Sequence, residues 1–202
     1  FPMVQPKRFF EMYPYDTQVI PPLVKGDLDD IPEAGRGADG KGLNAMEEGR
    51  RRMWQAYYAS VTFMDEQLGR VLDELDRLGL SDSTAVIFTT DHGYHLGEHG
   101  FWQKANLHEE VVRVPLLVRV PGIRPARTSS LVELVDIYPT CTDILGLPMP
   151  ASLQGKSLRP LLHDPRATIR ASALSIHNRH GGGVRLADWH YMNYGEKGEE
   201  LY

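Results

Sequence analysis

The chain has 202 residues, 42% of them apolar, enough for one sizeable core or for a large piece of a bigger one. Its 27 acidic and 22 basic side chains leave a net charge of −5, with lysine and arginine scattered, which speaks against nucleic acid or an anionic membrane as the main partner. The longest apolar runs, TAVIF and VPLLV, fall far short of a membrane span, and the one cysteine, Cys141, excludes an intrachain disulfide and a cysteine-based zinc site.

The sequence begins on FPMVQPKRFF, with neither an initiator methionine nor a signal-peptide pattern, and stops on YGEKGEELY, so both ends read as cuts. Residues 1–46 are rich in Pro, Gly and Asp. Pro2, Pro6, Pro14, Pro21, Pro22 and Pro32 predict an extended covering segment with one short turn of helix at Lys7–Met12. Over residues 47–78, Met53, Tyr57, Val61, Met64, Leu68, Val71, Leu72, Leu75 and Leu78 recur at spacings of three and four. That periodicity predicts a long helix, stopped by Gly79. Asp65 within it is expected to make a buried hydrogen bond, and Ser60 no catalytic contact.

A strand buried on both faces is expected at Thr84–Thr89, then a polar loop over residues 90–110, then a second buried strand at Val114–Val120 ended by Pro121-Gly122. Residues 131–146 have helical spacing, with Pro139 near the start and Gly146 at the end. A loop with a short helix follows. Residues 171–202 alternate around a glycine-rich turn, Gly181–Gly183, and predict two or three antiparallel strands. Helix, strand, loop, strand, helix is an α/β order with a largely parallel or mixed sheet, and such sheets place their sites in loops beyond strand ends.

The loop 90–110 lies in that place and holds the ionisable groups. Asp91 and His92 come directly at the strand end, where a carboxylate oxygen and an imidazole nitrogen reach one cation if Gly93 lets the pleat break. The carboxylate suits a hard cation such as calcium, and the imidazole suits zinc or another transition metal. A solvated Asp-His-Gly turn is equally compatible with the residue types. Lys104 beside a metal needs an anion between them, such as sulfate or phosphate; otherwise it is a solvated lysine with its stem on Trp102. His95, His99 and His108 are each a proton donor or a surface histidine, the latter being favoured for His95. Glu109 or Glu110 is expected to pair with Arg113 at helical spacing, with Arg113 tying the loop to the next strand. His177, Arg179 and His180 near the glycines are further candidates to face a substrate. No GxGxxG, P-loop or GxSxG occurs, and nothing supports a serine nucleophile.

The run YYASVTFMDEQLGRVLDELDRLGLSDSTAVIFTTDHGYHLGEHGFWQKANLHEEVVRVPLLVRVPG resembles the type I sulfatases, nearest the iduronate-2-sulfatase and choline-sulfatase-like branch. SSLVELVDIYPTCTDILGLPMPASLQGKSLRPLL and VRLADWHYMNYGEKGEELY are similar to segments that follow in that family. DHG alone is weak, whereas the ordered set FTTDHG, LGEHG, WQK, RVPL, VD-YPT and QG-SL-PLL is specific. The resemblance implies part of an alkaline-phosphatase-like mixed sheet flanked by helices, with the start of a small C-terminal antiparallel sheet. On that reading residues 1–46 cover the core, 47–165 are the C-terminal half of the α/β core, and 166–202 open the β subdomain.

The resemblance also implies hydrolysis of sulfate esters of a carbohydrate or small alcohol at a calcium site, with zinc or manganese as alternatives. Asp91 and His92 match the late pair of metal ligands, a position often filled by Asp-Asn, and Lys104 matches the late lysine that contacts sulfate. His108 is a candidate substrate contact. The family's nucleophile is a formylglycine made from a C/S-x-P/A-x-R motif, which this chain lacks; Cys141 is followed by Thr142-Asp143-Ile144. The chain is therefore expected to need a missing N-terminal half and to be inactive alone. A periplasmic, secreted or lysosomal place follows from resemblance only. Two rival readings are a metal-dependent phosphodiesterase or phosphonate hydrolase of the same superfamily, and a non-catalytic fragment or subunit.

Overall fold

The computed structural model describes residues 3–177 and 181–202. A short helix α1, Lys7–Glu11, stands where the one helical turn was expected, followed by two single 3-10 turns, a two-residue strand β1, Ala38–Asp39, and helix α2, Lys41–Asn44. Helix α3 runs from Glu47 to Arg77. Its first turn carries Glu47 and Glu48, which suit the positive end of the helix and pair with Arg51 and Arg52 four residues on, each at 2.7 Å. It ends at Gly79, whose φ of +68° lets the Gly79 N–H donate to Asp76 O at 2.9 Å and the Leu80 N–H to Leu75 O at 3.1 Å.

Residues 3–46 pack on α3 mainly through aromatics. Phe9 stacks on Phe63 with centroids 5.2 Å apart, and Tyr13 on Tyr58 at 5.5 Å. Gln5 Nε2 donates to Ala56 O at 3.0 Å. Further along, Val61, Met64, Val71 and Leu78 of the apolar stripe remain exposed. Asp65 is exposed too, so the buried hydrogen bond expected there is not made: its helical position faces away from the segment that covers α3. Among the described residues, no helix is long and apolar enough to cross a membrane.

Strands β2, Val86–Thr89, and β5, Leu116–Arg119, form an antiparallel pair with Phe88 opposite Leu117. Between them the expected loop is itself folded: β3, His95–Leu96, and β4, Phe101–Gln103, form a hairpin with β1 on the other edge of β4, and α4 spans Glu109–Val112. The expectation that β2 and β5 are buried on both faces fails in this chain. All of β2 is half-buried and Leu117 is 60% exposed, because the pair stands as a two-stranded sheet with neither outer edge taken up by a described strand.

Helix α5, Ile137–Ile144, has Pro139 in its first turn, and α6 spans Arg159–His163. The VD-YPT and QG-SL elements meet here. Asp136, fully buried, accepts from Glu133 N at 2.8 Å and Lys156 N at 2.7 Å, and pairs with Arg170, which also pairs with Glu133. Thr140 Oγ1 donates to Asp136 O at 2.6 Å and accepts from Leu158 N at 2.9 Å. These motif residues clamp a loop to the start of a helix.

The tail forms four antiparallel strands rather than two or three: β6, Ala173–His177; β7, Gly181–Arg185; β8, His190–Asn193; and β9, Glu199–Leu201, in that order. Gly181–Gly183 is strand, not turn; a Cβ on Gly181 would come within 1.9 Å of Asn193 O, so the glycine admits the neighbouring backbone. His177 lies in β6, while Arg179 and His180 lie outside the described residues.

Candidate functional site

The chain leaves β2 at Thr89, and Thr90 Oγ1 sits 3.3 Å from Asp91 Oδ1 and 3.2 Å from His92 O, fixing the turn. His92 Nδ1–H donates to Gly93 O at 2.7 Å, so Nε2 carries the lone pair. Asp91 Oδ2 is 3.5 Å from that Nε2, and the Lys104 ammonium donates to it at 2.5 Å. A carboxylate, an imidazole lone pair and an ammonium thus converge at the end of β2, with Asp91 and Lys104 exposed and His92 partly covered. Slight desolvation works to raise the Asp91 pKa, but His92, the local backbone, Thr90 and Lys104 outweigh it and hold the carboxyl below its ordinary value. Asp91 is ionised near neutrality.

Gly93 has a different task from the one its sequence position suggests. Its N–H donates to Val111 O at 2.7 Å, and a Cβ there would lie 1.9 Å from Glu110 O. The glycine lets the turn after His92 lie against the backbone of α4. Gly93→Ala is expected to lower stability by about 2–3 kcal/mol, since the obstructing atom is main chain and cannot rotate away; urea denaturation checks this, and a loss under about 0.5 kcal/mol contradicts the close approach.

Lys104 is delivered by the β3–β4 hairpin. Two non-glycine residues, His99 at φ +53° and Gln103 at φ +69°, adopt left-handed conformations in it, and Gln103 immediately precedes Lys104. Trp102 is buried against the N-terminal segment: Nε1–H donates to Asn44 Oδ1 at 2.9 Å, and a Cβ on Gly40 would lie 2.0 Å from its ring. Trp54 Nε1–H donates to Leu96 O at 2.6 Å, tying the hairpin to α3.

The other loop residues divide. His95 is not at the surface; it is fully buried, edge-on to Phe101 at 5.6 Å, with Nε2 3.0 Å from Asn106 Oδ1. A local partner makes an otherwise polar ring tolerable inside. His99 Nδ1 meets Asp27 Oδ2 at 3.1 Å. His108 is buried, and its Nε2 donates to Glu200 Oε2 at 3.0 Å. Glu200, almost fully buried, also accepts from Tyr194 at 2.6 Å and Tyr202 at 2.8 Å, so His108 joins the loop to the C-terminal sheet. Desolvation, then the bond to Glu200, raises both phenol pKa values well above their ordinary range. Glu109 pairs with Arg113 at 3.8 Å as expected, and also with Arg185 at 3.5 Å. Arg113 is 80% exposed and ties the loop to its own turn of helix rather than to β5. Asn106 and Glu200 carry no local sequence signal; Glu200 lies 92 residues from the histidine it holds.

A model of the sulfatase family matches residues 8–147. A sulfatase from Formosa agariphila is 30% identical over the whole of this chain, which spans 41% of that protein. The solved structure of a protein in complex with its substrate D-glucosamine-2-N,6-O-disulfate is 30% identical, with a TM-score of 0.70 over 77% of this chain and 35% of that one. A phosphonate monoester hydrolase from Silicibacter pomeroyi shares the fold at a TM-score of 0.85 and 22% identity, over all of this chain and 47% of its own. The chain thus spans less than half the length of each of these relatives. The family match over residues 8–147, together with 30% identity to a sulfatase over the whole of this chain, places this chain in the sulfatase family.

Proposed function

We propose that this chain supplies the late half of a sulfate-ester hydrolase centre, in which Asp91 and His92 hold a divalent cation and Lys104 contacts the sulfuryl oxygens of a sulfated saccharide. The observation that carries it is the convergence of these three side chains, 13 residues apart in sequence, at the end of β2. The donor set fits a cation: Asp91 is ionised, and the His92 Nε2 lone pair faces its carboxylate. Calcium is the ion proposed, and other oxygen ligands come from outside this chain. The cation, when bound, polarises and neutralises the sulfuryl oxygens. Lys104 adds a second positive charge on the same oxygens, leaving its present contact with His92 to do so. The saccharide is proposed because a relative with 30% identity is solved with a sulfated glucosamine.

The chain holds no C/S-x-P/A-x-R sequence. The nucleophile is therefore proposed to lie in a further part of the complete protein, and purified chain is expected to show no turnover of 4-nitrophenyl sulfate. Hydrolysis by the chain alone that disappears in Asp91→Ala refutes that proposal. For the metal, Asp91→Ala combined with His92→Ala in the complete protein is expected to abolish stoichiometric calcium in metal analysis and to cut activity. Unchanged calcium content excludes the pair as ligands. A phosphonate or phosphodiester hydrolase with zinc is the second reading, favoured by the imidazole at His92. Zinc in place of calcium, with phosphate or phosphonate esters preferred over sulfate esters, selects it.

A further inference from the structure

A second group of potential metal ligands lies among different residues. One donor atom from each of His95, His108 and Glu110 sits within 4.8 Å of the other two. His95 is fully buried, His108 is 5% exposed, and their rings stand edge to face 6.1 Å apart. We propose that His95, His108 and Glu110 form a second cation site, selective for a zinc-type transition-metal dication and separate from the Asp91–His92 pair.

Charge balance is the first support. Glu98, Glu110 and Glu200 surround the two imidazoles. Glu98 Oε2 is 4.0 Å from His95 Nδ1, and Glu200 Oε2 is 3.0 Å from His108 Nε2. Among the described residues, neither Glu98 nor Glu200 forms an ion pair with lysine or arginine, and Glu110 forms none at all. Glu200 is 1% exposed at its side chain, and a buried carboxylate facing only imidazole and phenol donors is a costly arrangement that a nearby cation relieves.

Hydrogen bonding is the second. His95 Nδ1 is buried without a hydrogen-bond partner, an uncommon finding that a cation or a water would satisfy; Asn106 Nδ2, a donor, is likewise unpartnered and needs an acceptor such as water. The Asn106 orientation is set by His108 N–H, which donates to Oδ1 at 3.3 Å, so His95 Nε2–H must donate to the same oxygen and the His95 Nδ1 lone pair is left over. His108 Nε2–H is likewise committed to Glu200, which leaves its Nδ1 lone pair. Each imidazole therefore has one nitrogen fixed by an oxygen acceptor and the other ready to coordinate, as metal-bound histidines have. Two nitrogens and one carboxylate oxygen are the donors of a zinc centre, with a fourth position for Glu98 or water.

The test uses the complete protein, with Asp91→Ala and His92→Ala installed so that those two side chains no longer ligate. Equilibrium dialysis against micromolar Zn2+ is followed by metal analysis. One zinc per chain is expected to remain, and Co2+ in its place is expected to give visible absorption bands of a nitrogen-ligated site. Adding His95→Gln or Glu110→Gln should weaken zinc at least about tenfold, the lower limit for disturbing even an outer partner of a metal-bound histidine. Glu110 is half-buried and its carboxylate makes no hydrogen bond among the described residues, so Glu110→Gln decides the matter if His95→Gln does not fold by near-ultraviolet circular dichroism. No zinc in the Asp91→Ala/His92→Ala background, or zinc unchanged by Glu110→Gln, overturns the proposal. Neither result bears on the sulfatase reading, which the calcium content of the otherwise unmodified protein tests.

Discussion

Lys104→Ala in the complete protein is expected to lower kcat/KM by about 10²–10³, corresponding to about 2.7–4 kcal/mol, the usual cost of removing one preorganised donor from a developing anion. The melting temperature should stay nearly unchanged. Lys104 is exposed, and among the described residues its hydrogen bond is with the His92 imidazole, an arrangement whose loss costs the fold little. Lys104→Arg should recover little of the rate, because a planar guanidinium on a longer arm cannot occupy the place of a compact ammonium. Steady-state kinetics with 4-nitrophenyl sulfate and a thermal melt on the same samples separate the two roles. Near-normal kcat/KM, or a loss that follows a large fall in melting temperature, removes Lys104 from the proposed centre.

Asp136→Ala is expected to have the largest effect on stability, about 3–5 kcal/mol, the range for removing one partner of a buried ion pair. The substitution removes one of the two carboxylates that pair with Arg170, whose side chain is 9% exposed, leaving Glu133 as the other, and leaves the N–H groups of Glu133 and Lys156 without acceptors. For a chain of this size the corresponding drop in melting temperature is roughly 6–20 °C. Asp136→Asn loses the charge and keeps one of the two acceptor oxygens, the other becoming an NH2 donor, so it should fall between wild type and alanine. Activity per folded molecule should hardly change in either, because Asp136 clamps a loop to α5 and touches none of the three residues proposed for catalysis. A loss below about 1 kcal/mol for alanine means that the clamp carries less than its burial implies.

What could be read from sequence was what repeats locally. Helix α3 announced itself through apolar spacing and Gly79, and the positions of β2 and β5 through short apolar runs between turn residues. The hairpin carrying Lys104 could not be read in this way. Its strands are two and three residues long, one pairs with Ala38–Asp39 some 60 positions earlier, and two of its bends put histidine and glutamine in left-handed conformations that residue preferences disfavour. Asp91, His92 and Lys104 could be singled out because strand-end position and a family pattern coincide. Their meeting at one imidazole nitrogen depended on that hairpin. His95 was misplaced at the surface because a histidine is polar by default, and the asparagine that accommodates it inside is eleven residues further on. The burial of β2 and β5 was over-read for the opposite reason: an apolar run reports the cover a strand is suited to, and the described residues supply only part of it.

The bond between His108 and Glu200 has a consequence in time. It closes a span of 92 residues, for which the chain entropy alone is roughly 4 kcal/mol. During synthesis Glu200 emerges roughly 5–18 s after His108 at ordinary elongation rates. For that interval the segment bearing Lys104 has its α3 contact through Leu96 but lacks its anchor on the β sheet at the other end. The nascent segment thus lacks that anchor until the ribosome has delivered β9, which makes the synthesis of β9 the step that ties this segment to the C-terminal sheet.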